Sequence, residues 1–297
     1  MSKSFNPDSR LSSITFQNQV NIVLSSLVAL VGIGFALFPL YWIFTAALDP
    51  LNLLSTQTLF PRAVSLDNFR SVLSDPNRPF LRWMMNSLKV SSITAVLVVL
   101  IASMGAYSFS RFRFAARRGL MLSILMIQIF PNVLAMIAIY IIVWQMGRYI
   151  PAIGLNTHGG LIMVYLGGAM GGNIWLMKGF FDTIPKELDE SARIDGASHG
   201  QVFIYIILPL VRPVLTVIGI LTFIGTYSDF IVAKLLISDA KEYTLGVGMQ
   251  GFINLNYNVS WGQFSAAALL GALPILIIFY TTQKLIVNGL TQGAVKG

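Results

Sequence analysis

The chain has 297 residues, of which 55% are hydrophobic and only 11% are charged, and its formal net charge is +8. A soluble domain has about 25% charged residues, so this chain has too few to cover a surface that faces water. It is also too apolar for disorder, and the surplus of basic residues is typical of cytoplasmic loops rather than of a nucleic-acid interface. The absence of cysteine excludes disulfides and thiolate sites. The composition therefore predicts an integral membrane protein.

Six stretches are long and apolar enough to cross about 30 Å of hydrocarbon as helices. The first is too long for the hydrophobic region of a signal peptide, and no small-residue cleavage site closes it. Pro131 lies inside the third stretch, where it should kink the helix, and Pro274 lies inside the sixth. The sequence thus predicts an all-α, polytopic membrane protein with six transmembrane helices. The predicted spans are 22–47, 90–108, 120–144, 161–177, 213–227 and 264–282.

Basic residues in the short connections set the predicted orientation, because cytoplasmic loops carry the excess of lysine and arginine. Four arginines lie within eight residues between the second and third spans, whereas the next connection holds only Arg148. The first external loop, 48–83, also holds four arginines, but it is longer and carries three aspartates. The second-to-third connection is therefore placed in the cytoplasm, together with both termini. Its four arginines are Arg111, Arg113, Arg117 and Arg118.

The connection between the fourth and fifth spans, which we call the acidic connection (residues 182–210), holds the strongest local pattern. Five of the twelve acidic residues of the chain lie between Asp182 and Asp195. Pro185 suits the first turn of a helix, and the acidic residues after it lie where the helix macrodipole favours negative charge. A short helix is therefore predicted here. Its loose apolar stripe consists of Leu188, Ala192 and Ile194.

A tight turn and a second helix are predicted to follow. Asp195-Gly196 breaks the first helix, since glycine tolerates a positive φ. Ser198 and Gln201 form a capping box that begins the second helix, which should weaken before Pro209. Local physics alone leaves a second interpretation open, in which this segment is only a solvated hairpin between two spans.

The spacing of the acidic connection resembles the EAA loop of the membrane subunits of binding-protein-dependent ABC importers. That loop reads Glu-Ala-Ala, three residues, Gly, nine residues, Ile, one residue and Leu-Pro. The chain departs from it only at Ser191, where one small residue replaces another. The resemblance implies a cytoplasmic coupling helix between spans four and five that docks on an ATPase subunit. The residues implied in docking are Glu190, Ser191, Ala192, Gly196, Leu208 and Pro209.

Further segments are similar to the MalG-type permease subunits of maltose and oligosaccharide importers, over nearly the whole chain after the first twenty residues. The similar segments are 154–160, 165–168, 243–250 and 288–297. The resemblance implies a multi-pass subunit of the bacterial inner membrane, in contact with lipid. It also implies a larger MalF-like permease subunit, two ABC ATPase subunits and an extracytoplasmic sugar-binding protein as partners. ATP and magnesium would bind to the ATPase subunits, so this chain would be no enzyme and would hold no cofactor.

The predicted domains are a cytoplasmic segment (1–21), a permease domain (22–283) and a cytoplasmic tail (284–297). Glycines recur in the tail, and glycine lets one backbone approach another closely. The resemblance implies that the tail reaches between the two ATPase subunits. The residues implied in that contact are Gly293, Ala294, Val295, Lys296 and Gly297.

Gln128 and Asn132, on either side of Pro131, are candidates for the lining of a translocation path. Amides can hydrogen-bond sugar hydroxyls, but in membranes polar groups also join helices, and both interpretations stay open. Two glycine pairs of the fourth span, 167–168 and 171–172, favour close helix packing over a hinge.

Three titratable residues lie close to the ends of the predicted spans. His158, in a glycine-rich segment, is predicted to be a surface or turn residue, and His199 to face solvent or a partner. The topology places these two histidines on opposite sides of the membrane, which excludes a shared metal site. Asp229, just past the fifth span, is expected to face the external water.

The sequence has no Gly-x-x-x-x-Gly-Lys-Ser/Thr phosphate-binding loop, so a partner must supply ATP hydrolysis. No charged residue lies inside a predicted span, which disfavours a proton- or sodium-coupled carrier. The leading hypothesis is the permease subunit of an ABC importer for a maltose- or maltodextrin-like oligosaccharide, working by alternating access. Trehalose, an acidic oligosaccharide or glycerol phosphate remain alternative cargoes. An ATP-independent carrier or channel, and a scaffold without a pathway, are less favoured alternatives.

Overall fold

The computed structural model describes residues 7–50, 63–253 and 259–294, with side chains from residue 21 to residue 283 except that of Asn132. Within those ranges every regular element is helical. In chain order the helices are α1 (Pro7–Leu48), α2 (Asp67–Ser74), α3 (Phe80–Arg111), α4 (Arg117–Ile129), α5 (Asn132–Tyr149), α6 (His158–Asp182), α7 (Glu187–Ile194), α8 (His199–Val202), α9 (Leu208–Leu210), α10 (Arg212–Tyr227), α11 (Ile231–Leu236), α12 (Leu245–Met249) and α13 (Trp261–Ala294).

All six predicted apolar stretches lie in helices, and the all-helical architecture is confirmed. Among the described residues, four helices are suited by length and composition to cross a membrane, and the number rises to six if each of two bent pairs forms one span. The bent pairs are α4 with α5, and the α8–α9 helix with α10. The two predicted domain boundaries fall within helices, since α1 begins at Pro7 and α13 runs to Ala294.

Pro131 breaks the third predicted span instead of kinking it. Phe130, the residue before the proline, takes an extended conformation with ψ 129°, because the proline ring disfavours helical geometry in its predecessor. Helix α4 therefore ends at Ile129, and α5 leaves at an angle of 108° to it. Pro274 has no such effect, since α13 continues through it.

The helix before Pro209 changes its hydrogen-bond pattern. Residues Phe203–Ile207 form a π-helical turn, and the N–H of Leu208 donates to the carbonyl of Phe203, five residues back. The wider turn admits a proline that lacks an N–H, so the helix does not end there. It continues to Leu210, and α10 then departs at 78°. The weakening that the sequence predicts before Pro209 takes the form of this π-helical turn.

Helix α3 lies at the centre of the packing, against α6 on one side and α10 on the other, while α13 packs on α1, α2 and α10. One apolar cluster gathers at the C-terminal end of α3 around Val98, Ala102, Met177 and Ile207. We call it the inner cluster. Two further clusters surround the N-terminal half of α3, where α11, α12 and the start of α6 pack. The acidic connection therefore lies beneath one end of the central helix.

Helix α1 buries little of its surface within this chain. Its large apolar side chains between Ile22 and Leu40 are each more than half exposed, and burial begins only at Thr45 and Ala46. An exposed apolar face of this length suits lipid or another apolar chain.

Candidate functional site

Helix α7 begins the candidate site. Glu187, Asp189 and Glu190 lie in its first turn, where their negative charges interact favourably with the positive end of the helix macrodipole, as the sequence predicts. The helix begins two residues after Pro185, which lies outside it rather than in its first turn.

Gly196 ends α7 in the conformation that the sequence predicts. Its φ is +90°, and it is the only glycine with a positive φ in the described ranges. The N–H of Gly196 donates to the carbonyl of Arg193 (3.1 Å), and the N–H of Ala197 donates to that of Ala192 (2.9 Å). These two bonds are a Schellman motif, which satisfies carbonyls at the helix end and fixes the direction of the next segment.

The predicted capping box at the start of α8 is confirmed. The N–H of Gln201 donates to Ser198 Oγ (3.3 Å), and the N–H of Ser198 donates to Gln201 Oε1 (2.7 Å). The helix, turn and helix of the acidic connection are therefore set by local bonds at both of its junctions.

The apolar stripe predicted for α7 is wrong in part, because its residues point in different directions. Ala192, with Ala197 after the turn, packs against the inner cluster. Ile194 is 87% exposed, and Leu188 is 43% exposed. Residues three and four apart share one side of a helix, so Ile194 shares a side with exposed polar residues. We call this side the exposed α7 face; it consists of Glu187, Glu190, Ser191 and Ile194.

The residues implied in docking divide by exposure. Two are half-buried: Ala192 under the inner cluster and Leu208 at the end of the π-helical turn. The exposed ones are Glu190, Ser191, Gly196 and Pro209. Sequence reasoning missed Ile194 as a surface residue, since an eight-residue helix gives too little periodicity to fix its inward side.

Arg111, at the last turn of α3, joins α7 to the membrane helices. Its Nε donates to Asp189 Oδ2 at 2.7 Å, and the two side chains are only 6% and 13% exposed. The same guanidinium donates to the carbonyl of Phe181 in the last turn of α6 (3.2 Å) and to that of Ile184 just after it (3.1 Å). The sequence alone does not predict this pairing of Arg111, because 78 residues separate it from Asp189.

A second polar group lies beside Arg111. Ser110 Oγ donates to Asp182 Oδ1 at 2.6 Å, and Lys178 forms an ion pair with Asp182 one turn away on α6. The last turns of α3 and α6 are therefore bonded directly to each other, and that of α3 is bonded to α7 as well.

Gln128 lines a cavity of about 400 Å³ between α4 and α6, together with Ile124 and Gly167. A Cβ atom placed on Gly171 would come within 2.9 Å of Gln128 Nε2, so the amide lies directly on the backbone of α6. A Cβ on Gly167 or Gly168 would meet nothing within 4 Å. Close packing thus holds for the second glycine pair, while the first faces the cavity.

His158 is buried, so the prediction of a surface residue is wrong. It is 7% exposed at the start of α6. Lys89 Nζ lies 3.3 Å from its Nδ1, and because an ammonium only donates, Nδ1 accepts and Nε2 carries the proton. Nε2 then donates to the Glu242 carbonyl (3.1 Å), near the Glu242 carboxylate (3.3 Å). Burial follows because the loop after α11 covers this end of α6.

The other two titratable residues also have neighbours. Asp229 is half-buried, and its Oδ1 accepts from Tyr165 Oη (2.8 Å) and from the N–H of Ala233 (3.0 Å), so it does not simply face water. His199 is exposed, and its ring meets that of Phe112 edge to face, with the two ring centroids 5.0 Å apart. His158 packs near the start of α3 and His199 near its end.

Several predicted residues lie outside what the structure describes. The side chain of Asn132 is among them. Of Gly293 and Ala294 only the backbone, which ends α13, is described. Val295, Lys296 and Gly297 lie wholly outside the described residues.

The sequence matches a known family over most of its length. Residues 98–292 match the model described as binding-protein-dependent transport system inner membrane component. The maltose/maltodextrin transport system permease protein MalG of Photorhabdus laumondii is 43% identical over 276 residues, 89% of this chain and 92% of the relative. The protein of the same name from Escherichia coli K12 is 40% identical over 290 residues, 94% and 97% of the two chains.

The fold matches a solved membrane protein. A chain from a bacterial ABC transporter involved in the import of the acidic polysaccharide alginate superposes with a TM-score of 0.73. That match covers 95% of this chain and 99% of the other, at 23% identity. At that identity the likeness shows a shared fold.

Proposed function

Since the chain belongs to the family of binding-protein-dependent transport system inner membrane components, we propose that it is the permease subunit of an ATP-driven maltose-type importer. The observation that carries the proposal is identity of 40% or more, over nine-tenths of the chain, to maltose/maltodextrin permease proteins. The exposed α7 face adds a structural reason. The acidic connection presents an exposed helix, α7, as a docking element for another subunit requires.

The cargo is a neutral maltose- or maltodextrin-like oligosaccharide, moved inward by alternating access. Gln128 supports this, because its amide lies at the wall of a cavity, where it can hydrogen-bond hydroxyl groups without a charge. Asn132, four residues later across the break at Pro131, would line the same path. The break at Pro131 interrupts the helical path of the backbone between α4 and α5, which membrane proteins accept where a segment lines a cavity.

The partners are a larger MalF-like permease subunit, two ATPase subunits and an external sugar-binding protein. ATP and magnesium bind in the ATPase subunits, and the exposed α7 face, with Gly196 and Pro209, contacts one of them. The exposed apolar length of α1 suits the larger permease subunit or lipid. The tail beyond residue 292 reaches between the ATPase subunits.

The topology has six spans, with each bent pair counted as one, in the bacterial cytoplasmic membrane. Both termini and the acidic connection then share the cytoplasmic side with the arginine-rich connection after α3. The contact between Arg111 and Asp189 supports this arrangement, because it brings that connection and the acidic connection to the same end of the bundle.

Uptake by a reconstituted complex tests the function. The chain is purified with its permease partner and both ATPase subunits, placed in proteoliposomes with ATP inside, and supplied externally with the sugar-binding protein. We expect labelled maltotriose to accumulate only when the ATPase subunits and ATP are both present. Parallel assays with trehalose, glycerol phosphate and an alginate oligosaccharide define the cargo. Sugar entry without ATPase subunits would contradict the importer and indicate a carrier or channel.

A further inference from the structure

One buried guanidinium holds three separate elements together at the inner end of the bundle. Arg111 extends from the end of α3, and its Nε and Nη2 face the two oxygens of Asp189 on α7. Its Nη groups also reach one carbonyl in the last turn of α6 and one just after that helix. All three of its nitrogens therefore have acceptors, which a compact lysine ammonium would not reproduce.

The remaining contacts between α7 and the membrane helices are of a different kind. Ala192 and Ala197 lie against the inner cluster with short, apolar side chains. Among the residues that the structure describes, no other ion pair links α7 to a membrane helix, and the three other charged residues of α7 are exposed. Small apolar contacts allow one surface to slide on another, whereas a buried, charge-assisted pair fixes both distance and direction.

We propose that Arg111 is a positioning residue that fastens the docking helix α7 to α3 and α6, so that a displacement of α7 by the ATPase moves both helices. The inference rests on the proposed function, since it assumes that α7 receives the force of ATP hydrolysis. It goes beyond that function by naming where the force enters the membrane domain. Without the fastening, the ATPase still docks on α7 and hydrolyses ATP, but α7 moves without α3 and α6.

The number of sugar molecules imported per ATP hydrolysed tests the proposal in the reconstituted complex. We expect Arg111→Asp to lower this ratio at least about fivefold, because coupling free energies between sites correspond to factors of that size. Asp189→Arg should act alike. The exchange variant, Arg111→Asp with Asp189→Arg, restores the pair in reverse and should regain most of the ratio. Arg113→Asp is the matched control, because Arg113 is exposed and forms no ion pair within the described residues.

A covalent link provides a second, independent measurement. The chain has no cysteine, so Arg111→Cys with Asp189→Cys introduces the only two thiols. The uncrosslinked double variant should hydrolyse ATP with little import, and a short bis-maleimide bridge between the thiols should restore import. If the single charge reversals lower the yield of the complex, this experiment still tests whether the contact between Arg111 and Asp189 fastens α7.

The outcomes separate the two proposals. Import and hydrolysis that stay coupled at the normal ratio in Arg111→Asp would overturn the fastening while leaving the importer intact. Failure of both the charge exchange and the bridge to restore the ratio would also overturn it, and would reduce Arg111 to a residue needed for folding. If the unaltered complex imports no sugar with ATP, the proposed function itself fails.

Discussion

Gly196 and Gly200 lie four residues apart and differ in backbone conformation. A Cβ atom would meet nothing within 4 Å at either position, but only Gly196 has a φ of +90°. A side chain in left-handed geometry costs about 1–2 kcal/mol, whereas alanine favours an ordinary helical position. Gly196→Ala should therefore speed amide exchange at Ala197 about tenfold, since local opening becomes easier. Gly200→Ala, measured alongside, should leave that exchange equal or slower; equal effects from both variants would contradict the role of the turn.

Ile194 is a large apolar side chain on the face that we assign to the ATPase. It is 87% exposed, so Ile194→Ala should leave the thermal stability of the isolated subunit unchanged. Burying such a side chain contributes about 1.5–3 kcal/mol, so binding of the ATPase subunit should weaken at least about tenfold. Titration of labelled ATPase onto the subunit in nanodiscs measures this. Ile231→Ala, an exposed isoleucine on α11, is the control; a similar loss there would mean that α7 is not the docking surface.

At the scale of elements, α12 packs on α3 through a glycine. A Cβ atom on Gly248 would overlap the ring of Trp83, which is 3% exposed and donates through Nε1 to the Ala240 carbonyl (3.2 Å). The ring also meets Phe252 edge to face, so it has no room to move. Gly248→Ala should destabilise the fold by about 1–3 kcal/mol.

The unfolding midpoint of the detergent-solubilised subunit measures this effect, and we expect it to fall by about 2 °C or more. Gly225→Ala is the matched control, because a Cβ atom on this glycine of α10 meets nothing within 4 Å. Equal midpoints for both variants would show that α12 can move away from Trp83 without loss of stability.

Hydropathy located all six apolar stretches, because crossing a bilayer requires only length and composition. The same reasoning could not locate the ends of α3 and α6, which continue into charged turns at Arg111 and Asp182. Those charges are stabilised by partners 72 and 78 residues away, and a local pattern carries no information about such distances. The break at Pro131 was underestimated, although its cause is local, since the residue before a proline disfavours helical geometry.

The candidate site was predictable where its chemistry is local. The turn at Gly196 and the capping box at Ser198 depend on neighbours within five residues, and both appear as predicted. Whether Ile194 stays exposed and whether His158 is buried depend instead on which distant surface packs against each of them. For His158 that surface is the loop carrying Glu242, 84 residues further along the chain.

At the scale of the whole molecule, the tail is predicted to act on the ATPase pair rather than on the membrane domain. The family resemblance implies that the tail contacts the ATPase subunits and not the membrane helices, so deletion of Gln292–Gly297 should leave assembly of the complex intact. ATP hydrolysis stimulated by the sugar-binding protein, and uptake with it, should change at least about twofold, since effector couplings are seldom smaller. Wild-type rates in the truncated complex would identify the tail as an ordinary frayed end.

Helix α3 is bonded to neighbouring elements near both of its ends, so a small rotation about one end displaces the other. Lys89 meets His158 of α6 near one end, and Arg111 holds α6 and α7 at the other. Twenty-two residues separate them, which is about 33 Å of helix at 1.5 Å per residue. If α3 tilts by about 5° around its Arg111 end, its Lys89 end moves sideways by about 3 Å, roughly the diameter of a water molecule. A rotation too slight to disturb the helix itself is therefore enough to open or close a gap the width of one water molecule at its far end.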